Sequence, residues 1–257
     1  VIFRFIFGAG TTCNNYDGFA VDDIMIGEAP PNNPSFTYSC TNNNTVAFTN
    51  TSALCPSLAW DFGDPASGPN NTSTLANPIH TFSAPGQYAI TLTATGPDNG
   101  SAVTPPQIIN ILGVTTSVTN NNCFGNNIGS ATVNVIPVSA APFFYSWNTI
   151  PAQITQTITG LACGTYTVTV NAINSCQTTT TAIITTPAAL AHTVNIVQPG
   201  CAVSTGTASI SATGGTAPYT YSWAPSGGTG STASGLAPGN YTVTVTDSKA
   251  CFENINV

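Results

Sequence analysis

The sequence contains very little charge. Asp, Glu, Lys and Arg make up 4% of its 257 residues, against roughly 25% in a typical globular protein. The only basic residues are Arg4 and Lys249, and the formal net charge is −7. Binding to nucleic acid needs clustered Lys and Arg side chains that neutralise phosphates, so the composition excludes a nucleic-acid partner. Solubility must come from Thr, Ser and Asn instead.

Two patterns are also missing. No stretch has a sustained apolar period near 3.6 residues, which argues against helices, and no run of about 18 apolar residues is present to span a bilayer. Apolar residues alternate with threonine instead, most clearly from Tyr241 to Thr246. Alternation with period two is typical of strands with one buried face, so the sequence predicts an all-β protein.

Groups that catalyse reactions are scarce. The only histidines are His80 and His192, and neither has a Ser or Cys nucleophile context around it. The only glutamates, Glu28 and Glu253, lie at opposite ends of the chain, and the aspartates are dispersed, so no glycosidase-type pair is indicated. We predict that the protein is not an enzyme.

Three tryptophans divide the chain into similar units, because each is followed at a similar interval by Gly-x-Tyr. The sets are Trp60, Gly86 and Tyr88; Trp147, Gly164 and Tyr166; and Trp223, Gly239 and Tyr241. In a Greek-key sandwich a buried Trp packs between the sheets, and a Tyr near the start of a late strand bonds back to the preceding corner. The sequence predicts three Ig-like Greek-key sandwiches in a linear array, the last two forming an internal repeat of about 75 residues.

Phe144 breaks the match between the two repeats. Its counterpart is Thr220, which strand alternation places on the outer face. A large apolar ring at such a position indicates a contact, first with an adjacent domain and second with another subunit. An isolated surface aromatic remains the alternative.

Eight cysteines with no CxxC motif indicate disulfides and an oxidising, extracytoplasmic setting. Equivalent positions in the repeats predict two bonds within repeats, and a third is plausible within the first unit. The expected pairs are Cys123 with Cys176, Cys201 with Cys251, and Cys40 with Cys55, which leaves Cys13 and Cys163 unassigned.

Calcium is the one cofactor that the residues suggest. Asp61 and Asp64 flank a bend, and Asp17, Asp22 and Asp23 form the only carboxylate cluster. Oxygen ligands of this kind suit Ca²⁺. The alternative, which is the commoner role, is that these aspartates cap backbone N–H groups in turns.

The N-terminal part of the chain resembles two known domain types. Residues 1–29 contain an apolar strand and then Tyr16–Ile26, which is similar to the closing strand of MAM or concanavalin-like jelly rolls, so we expect the end of a truncated jelly roll there. Residues 30–34 are a proline-rich linker. Residues 35–112 contain Trp60-Asp61-Phe62-Gly63-Asp64 and Pro85-Gly86-Gln87-Tyr88 and resemble the PKD domain, an Ig-like sandwich.

Residues 113–188 and 189–257 resemble the gliding-adhesin (SprB-type) repeats of Bacteroidetes surface proteins. The second copy carries the Gly-Gly-x-x-Pro-Tyr-x-Tyr-x-Trp pattern at Gly214–Trp223, and Gly-x-Tyr-x-Val-x-Val-x-Asp at Gly239–Asp247, followed by Cys251. The resemblance implies a secreted protein exposed at the cell surface and involved in adhesion or gliding motility.

Together these features predict a non-catalytic stalk or adhesive segment of a large secreted protein. Its low charge favours self-association into extracellular fibres. Glycans or abiotic surfaces are the expected targets. PKD domains also accompany secreted proteases and chitinases, so the alternative is an accessory or carbohydrate-binding region of a secreted multidomain hydrolase.

Overall fold

The fold is given by a computed structural model that describes residues 33–53, 57–96, 100–200 and 205–257. The predicted jelly-roll end at residues 1–29, with Cys13 and its three aspartates, lies outside the described residues, as do Cys55 and Cys201. The strands pair in antiparallel sheets, and the predicted all-β fold class is confirmed. No helix in the described part of the chain is long and apolar enough to cross a membrane.

The first sandwich packs a sheet of three strands against a sheet of five. Its strands are β1 (Phe36–Cys40), β2 (Thr45–Asn50), β3 (Ser57–Asp61), β4 (Thr72–Ser73), β5 (Ile79–Thr81), β6 (Gly86–Thr95), β7 (Ser101–Val103) and β8 (Gln107–Ile111). Strands β1, β2 and β5 form the smaller sheet. The core between the sheets is aromatic, with Phe36, Phe48, Trp60, Phe62 and Phe82 all buried. A short 3₁₀ segment, Pro65–Asn71, follows β3.

The second and third sandwiches have the same six-strand topology. The second contains β9 (Gly113–Thr119), β10 (Gly129–Ile136), β11 (Phe143–Trp147), β12 (Thr157–Leu161), β13 (Gly164–Ala172) and β14 (Thr178–Ile184). The third contains β15 (Ala191–Val197), β16 (Gly206–Thr213), β17 (Thr220–Ala224), β18 (Thr232–Leu236), β19 (Thr242–Thr246) and β20 (Phe252–Asn256). In each, the first, second and fourth strands form one sheet, and the third, fifth and sixth strands form the other.

The same sequence alternation builds both repeats. Along β19, Val243 and Val245 are buried while the threonines beside them are partly exposed. A register shift follows Gly129 on β10 and Gly206 on β16, at equivalent places. A Cβ at Gly206 would lie 2.9 Å from the backbone oxygen of Leu236, so the close approach of β16 and β18 requires glycine there.

The tryptophan and tyrosine pattern has the predicted structural role in all three sandwiches. The tryptophans are 1%, 2% and 6% exposed in chain order, and each indole N–H donates to a backbone oxygen of its own unit. The tyrosine hydroxyls donate to the carbonyl four residues earlier, from Tyr88 to Ala84, Tyr166 to Ala162 and Tyr241 to Ala237. These bonds are the tyrosine corners expected of Greek-key sandwiches.

The predicted disulfide pairs are wrong. The structure joins Cys40 to Cys176 and Cys123 to Cys251, so both bonds connect neighbouring sandwiches. The expected Cys123–Cys176, Cys201–Cys251 and Cys40–Cys55 pairs are each incompatible with these bonds. Among the described residues Cys163 is a free, exposed thiol.

The path of the edge strands explains the error. Strands β9 and β14 run side by side in the same direction, as contacts of Thr116 with Thr181 and of Asn121 with Thr185 show. Cys176 precedes β14 and Cys123 follows β9, so the two cysteines of this repeat lie near opposite ends of its sandwich. A seven-residue strand spans about 23 Å, whereas disulfide Cα atoms are usually within about 7 Å. Each cysteine therefore reaches the neighbouring sandwich instead.

Candidate functional site

The junction between the first and second sandwiches is a polar network around Asn110. Asn110 is 6% exposed, and its side-chain amide donates to the backbone oxygen of Ile173 at 3.0 Å. Its backbone N–H donates to the oxygen of Asn174, and its side-chain oxygen accepts a bond from Gln87. Every polar group of this buried residue thus finds a partner, which a stable interface requires.

Cys176 extends this junction into the core of the first sandwich. It belongs to the second sandwich by sequence, yet it is 0% exposed and packs among the buried aromatic residues of the first. Its Cα lies 5.5 Å from that of Cys40. At the same junction Gly113 is so close to Pro85 and Ile136 that a Cβ would lie 2.7 and 2.9 Å from their side chains. The two sandwiches are packed directly against each other.

The junction between the two repeats contains the second disulfide and an open cleft. The Cα atoms of Cys123 and Cys251 are 5.6 Å apart, and the Thr186 hydroxyl donates to the backbone oxygen of Cys123 at 2.9 Å. The cleft has a volume of about 490 Å³. Phe124 and Phe252 line it and are 63% and 66% exposed, and Glu253 is its carboxylate. Its size is within the range of small-molecule sites.

Glu253 also contacts His192 across the third sandwich. The His192 Nδ1 lies 3.2 Å from a carboxylate oxygen of Glu253, and both side chains are about one third exposed. Solvent screens a pair this exposed, so it contributes little to stability. The contact places His192 beside the carboxylate on the wall of the cleft.

Asp64, one of the predicted calcium candidates, is buried in the first sandwich with protein donors around it. Its carboxylate accepts the Ser83 N–H at 2.9 Å and the Ser83 hydroxyl at 2.5 Å, and His80 Nε2 lies 3.2 Å away. Burial by itself would raise the pKa of Asp64, but the bonds from Ser83 and His80 and the charge of His80 outweigh it and lower the pKa. Because Ser83 bonds the carboxylate and not His80, these residues do not form a nucleophile–base–acid relay.

Asp61 caps the adjacent turn. Its carboxylate accepts the Gly63 N–H at 2.8 Å and the side-chain amide of Asn71 at 3.1 Å. The described residues contain no group of three or more His, Cys, Asp or Glu side chains placed to hold a metal ion. A calcium role for Asp61 and Asp64 stays a prediction, and the contacts above are those of the turn-capping alternative.

Asp247 is a structural residue whose role the sequence did not reveal. It is 5% exposed and accepts the backbone N–H groups of Thr216, Lys249 and Cys251 at 2.8 to 2.9 Å. Burial would raise its pKa, but these bonds and the charge of Lys249 lower it. The available signal was the Gly214-Gly215 pair, because a Cβ on Gly215 would lie 2.7 Å from this carboxylate.

Phe144 lies where the alternation predicted. It is 56% exposed on the outer face of β11, opposite Asn171 of β13. A contact of this ring with an adjacent domain or another subunit stays a prediction.

Comparison with known proteins agrees with this architecture. The PKD domain family matches residues 29–109, and the SprB repeat family matches residues 115–152 and 193–230. No curated protein sequence matches the chain.

Solved structures with similar arrangements are distant. Three N-terminal domains of the Highly Immunogenic Outer Capsid protein of bacteriophage RB49 are 12% identical with a TM-score of 0.32, covering 88% of this chain and 95% of that one. The FN1–FN3 domains of chicken CNTN1 are 14% identical with a TM-score of 0.23, covering 87% and 97%. Neither likeness carries an argument about function. From the family matches and the described strands together, this chain carries a PKD domain followed by two SprB repeats.

Proposed function

We propose that residues 33–257 are a non-catalytic segment of an extracellular surface protein, which holds an adhesive part of that protein away from the cell. The observation that carries this proposal is the pair of disulfides between neighbouring sandwiches. A chain of separate binding modules does not need covalent bonds between units, whereas a spacer that must keep its units in contact does. The PKD domain, the SprB repeats and the oxidised cysteines support an extracellular location.

A domain replacement tests this function in cells that produce the protein. Residues 33–257 are replaced by three unrelated disulfide-free β-sandwiches of similar total length, and a second strain carries a simple deletion of the same residues. The proposal predicts that deletion weakens attachment to a surface and that the replacement restores part of it. Antibodies to residues 33–257 should label intact cells. Labelling only after permeabilisation would contradict the extracellular location.

A second candidate function is glycan binding in the cleft between the repeats. Exposed Phe124 and Phe252 with the neighbouring Glu253 carboxylate provide apolar surface beside a hydrogen-bond acceptor, the combination that small-molecule sites use. A glycan array probed with the wild-type chain and with the F124A/F252A double variant tests this candidate. Phe144→Ala is the matched control, because it removes a similarly exposed phenyl ring outside the cleft. A hit that survives the double variant would exclude the cleft.

A further inference from the structure

The two disulfides overlap along the chain. The bond from Cys40 to Cys176 closes a loop that contains Cys123, and the bond from Cys123 to Cys251 closes a loop that contains Cys176. Both loops therefore share residues 123–176. A disulfide inside one sandwich would limit the extension of that sandwich alone when the chain is stretched. Each of these two disulfides instead joins two different sandwiches.

Tension on the two ends follows the shortest covalent route. From residue 33 the route reaches Cys40, crosses to Cys176, returns along the chain to Cys123, crosses to Cys251 and leaves at Val257. It contains 7 residues before Cys40, 53 between Cys123 and Cys176, and 6 after Cys251, about 66 residues in all. Without the disulfides the route would contain 224 residues (257 − 33).

The route treats the three sandwiches differently. In the first sandwich the route includes little more than β1, because it leaves this sandwich at Cys40. In the third it includes little more than β20, because it enters this sandwich at Cys251. Unfolding the rest of these sandwiches adds no length between the ends, so tension has no means of driving it. The segment between Cys123 and Cys176 holds β10 to β13, and the middle sandwich is the only one whose unfolding lengthens the route appreciably.

We propose that the overlapping disulfides are a device that limits the extension of this segment under tension and directs force away from the PKD domain and the last repeat. The position of Cys176 fits this role, because it is 0% exposed and belongs to the core of the first sandwich. This mechanical property is separate from the spacer function. It belongs to the chain itself and is tested by force measurements, whatever the protein attaches to.

Single-molecule stretching of the full chain tests the proposal, with handles attached at both ends through peptide tags and not through thiols. At about 3.5 Å per residue, the oxidised route between residues 33 and 257 reaches about 230 Å and the reduced chain about 780 Å. Reduction should therefore lengthen this segment by about 550 Å. Within residues 33–257 we expect one unfolding step of at most 53 residues in the oxidised chain, and three steps after treatment with dithiothreitol.

Single variants sharpen the test because each disulfide protects a different sandwich. Without the second bond, in Cys123→Ser, the route becomes 7 residues to Cys40 and 81 after Cys176, about 88 in all, and the last repeat should unfold. Without the first bond, in Cys40→Ser, it becomes 90 residues to Cys123 and 6 after Cys251, about 96 in all, and the PKD domain should unfold.

Cys163→Ser is the matched control, because this cysteine is free and exposed and its removal should leave the oxidised trace unchanged. Three full unfolding steps in the oxidised wild-type chain would overturn the proposal. So would equal contour lengths for the wild type and the two disulfide variants.

Discussion

The two SprB repeats share a fold but are stabilised differently. Each has the same two three-stranded sheets, the indole-to-carbonyl bond and the tyrosine corner. The second repeat adds an internal clamp in which the buried Asp247 carboxylate holds the Gly214–Thr216 turn to the loop before β20. In the first repeat Ala172 stands at the position of Asp247, so the clamp is missing (247 − 75 = 172).

The first repeat has a different buried polar residue, Asn121, whose side chain accepts the N–H groups of Ile128 and Gly129 and donates to Leu161, and it is crosslinked at both ends. It supplies a cysteine to a disulfide at each end, Cys176 toward the PKD domain and Cys123 toward the second repeat. Val138 and Ser139 replace the glycine pair, and Val138–Ala140 forms a short 3₁₀ turn. With no carboxylate to approach, this turn does not need glycine. The comparison indicates that one sandwich pattern accepts different combinations of internal polar bonds and crosslinks.

Removing the Asp247 clamp should produce the largest difference in stability between the two repeats. Asp247→Ala leaves three backbone N–H groups without their acceptor, which costs about 3 kcal/mol, and the loss should fall on the second repeat alone. Hydrogen exchange resolved by residue measures it, because a single unfolding transition does not describe three sandwiches. Asp247→Asn keeps one acceptor oxygen and should lose less. Equal protection in wild type and Asp247→Ala would show that the clamp contributes nothing.

Substitution in the glycine pair should destabilise the second repeat less than Asp247→Ala does. Gly214 has a φ of +72°, and a Cβ there would lie 1.9 Å from the backbone oxygen of Ala189, so Gly214→Ala should destabilise the second repeat by about 2 kcal/mol. Gly239→Ala is the control, since a Cβ at Gly239 meets nothing within 4 Å and the change should stay within about 0.5 kcal/mol. Hydrogen exchange of amides in the second repeat, with both disulfides intact, compares the two variants. Equal protection in the two variants would contradict the close contact at Gly214.

Lowering the pH should produce a smaller difference in stability between the two repeats. The folded pKa of Asp247 is lowered below that of the unfolded chain, so its contribution is complete above the unfolded value of about 4 and is lost as pH falls through the folded pKa. The first repeat has no counterpart and should keep its protection over that range. Hydrogen exchange at pH 5 and at successively lower pH compares the two repeats. A parallel loss in both would contradict the assignment to Asp247.

Loss of the tyrosine corner should destabilise the two repeats equally. Tyr166→Phe and Tyr241→Phe each remove one hydroxyl bond to a backbone carbonyl, so each repeat should lose about 1 kcal/mol. Chemical denaturation of each variant, monitored through the hydrogen exchange of amides in β13 and β19, gives the stability that each repeat loses. A large loss in one repeat only would show that the corner is not an equivalent element of both.

Sequence reasoning succeeded where the information is local. The burial of the tryptophans, the tyrosine corners and the outward position of Phe144 follow from strand alternation and from repeated spacing, which each unit carries within itself. The PKD and SprB assignments rest on the same motifs.

It failed where the partner lies in another unit. Repeat equivalence assigned Cys123 and Cys201 to one position and Cys176 and Cys251 to another, but it could not say which sandwich supplies the partner of each. That depends on the parallel course of β9 and β14, which separates Cys123 from Cys176 by the length of a strand. The junction residue Asn110 gave no signal at all, because its bonds become visible only when two sandwiches are packed together.

The most direct test of the account is disulfide mapping under non-reducing conditions. Lys and Arg number only two, so trypsin is unsuitable, and pepsin at acidic pH also suppresses thiol–disulfide exchange by keeping thiols protonated. Free thiols are alkylated first, and Cys163 should be labelled. We predict linked peptides that join Cys40 to Cys176 and Cys123 to Cys251. A linked peptide that joins Cys123 to Cys176 would contradict the crosslinking of neighbouring sandwiches.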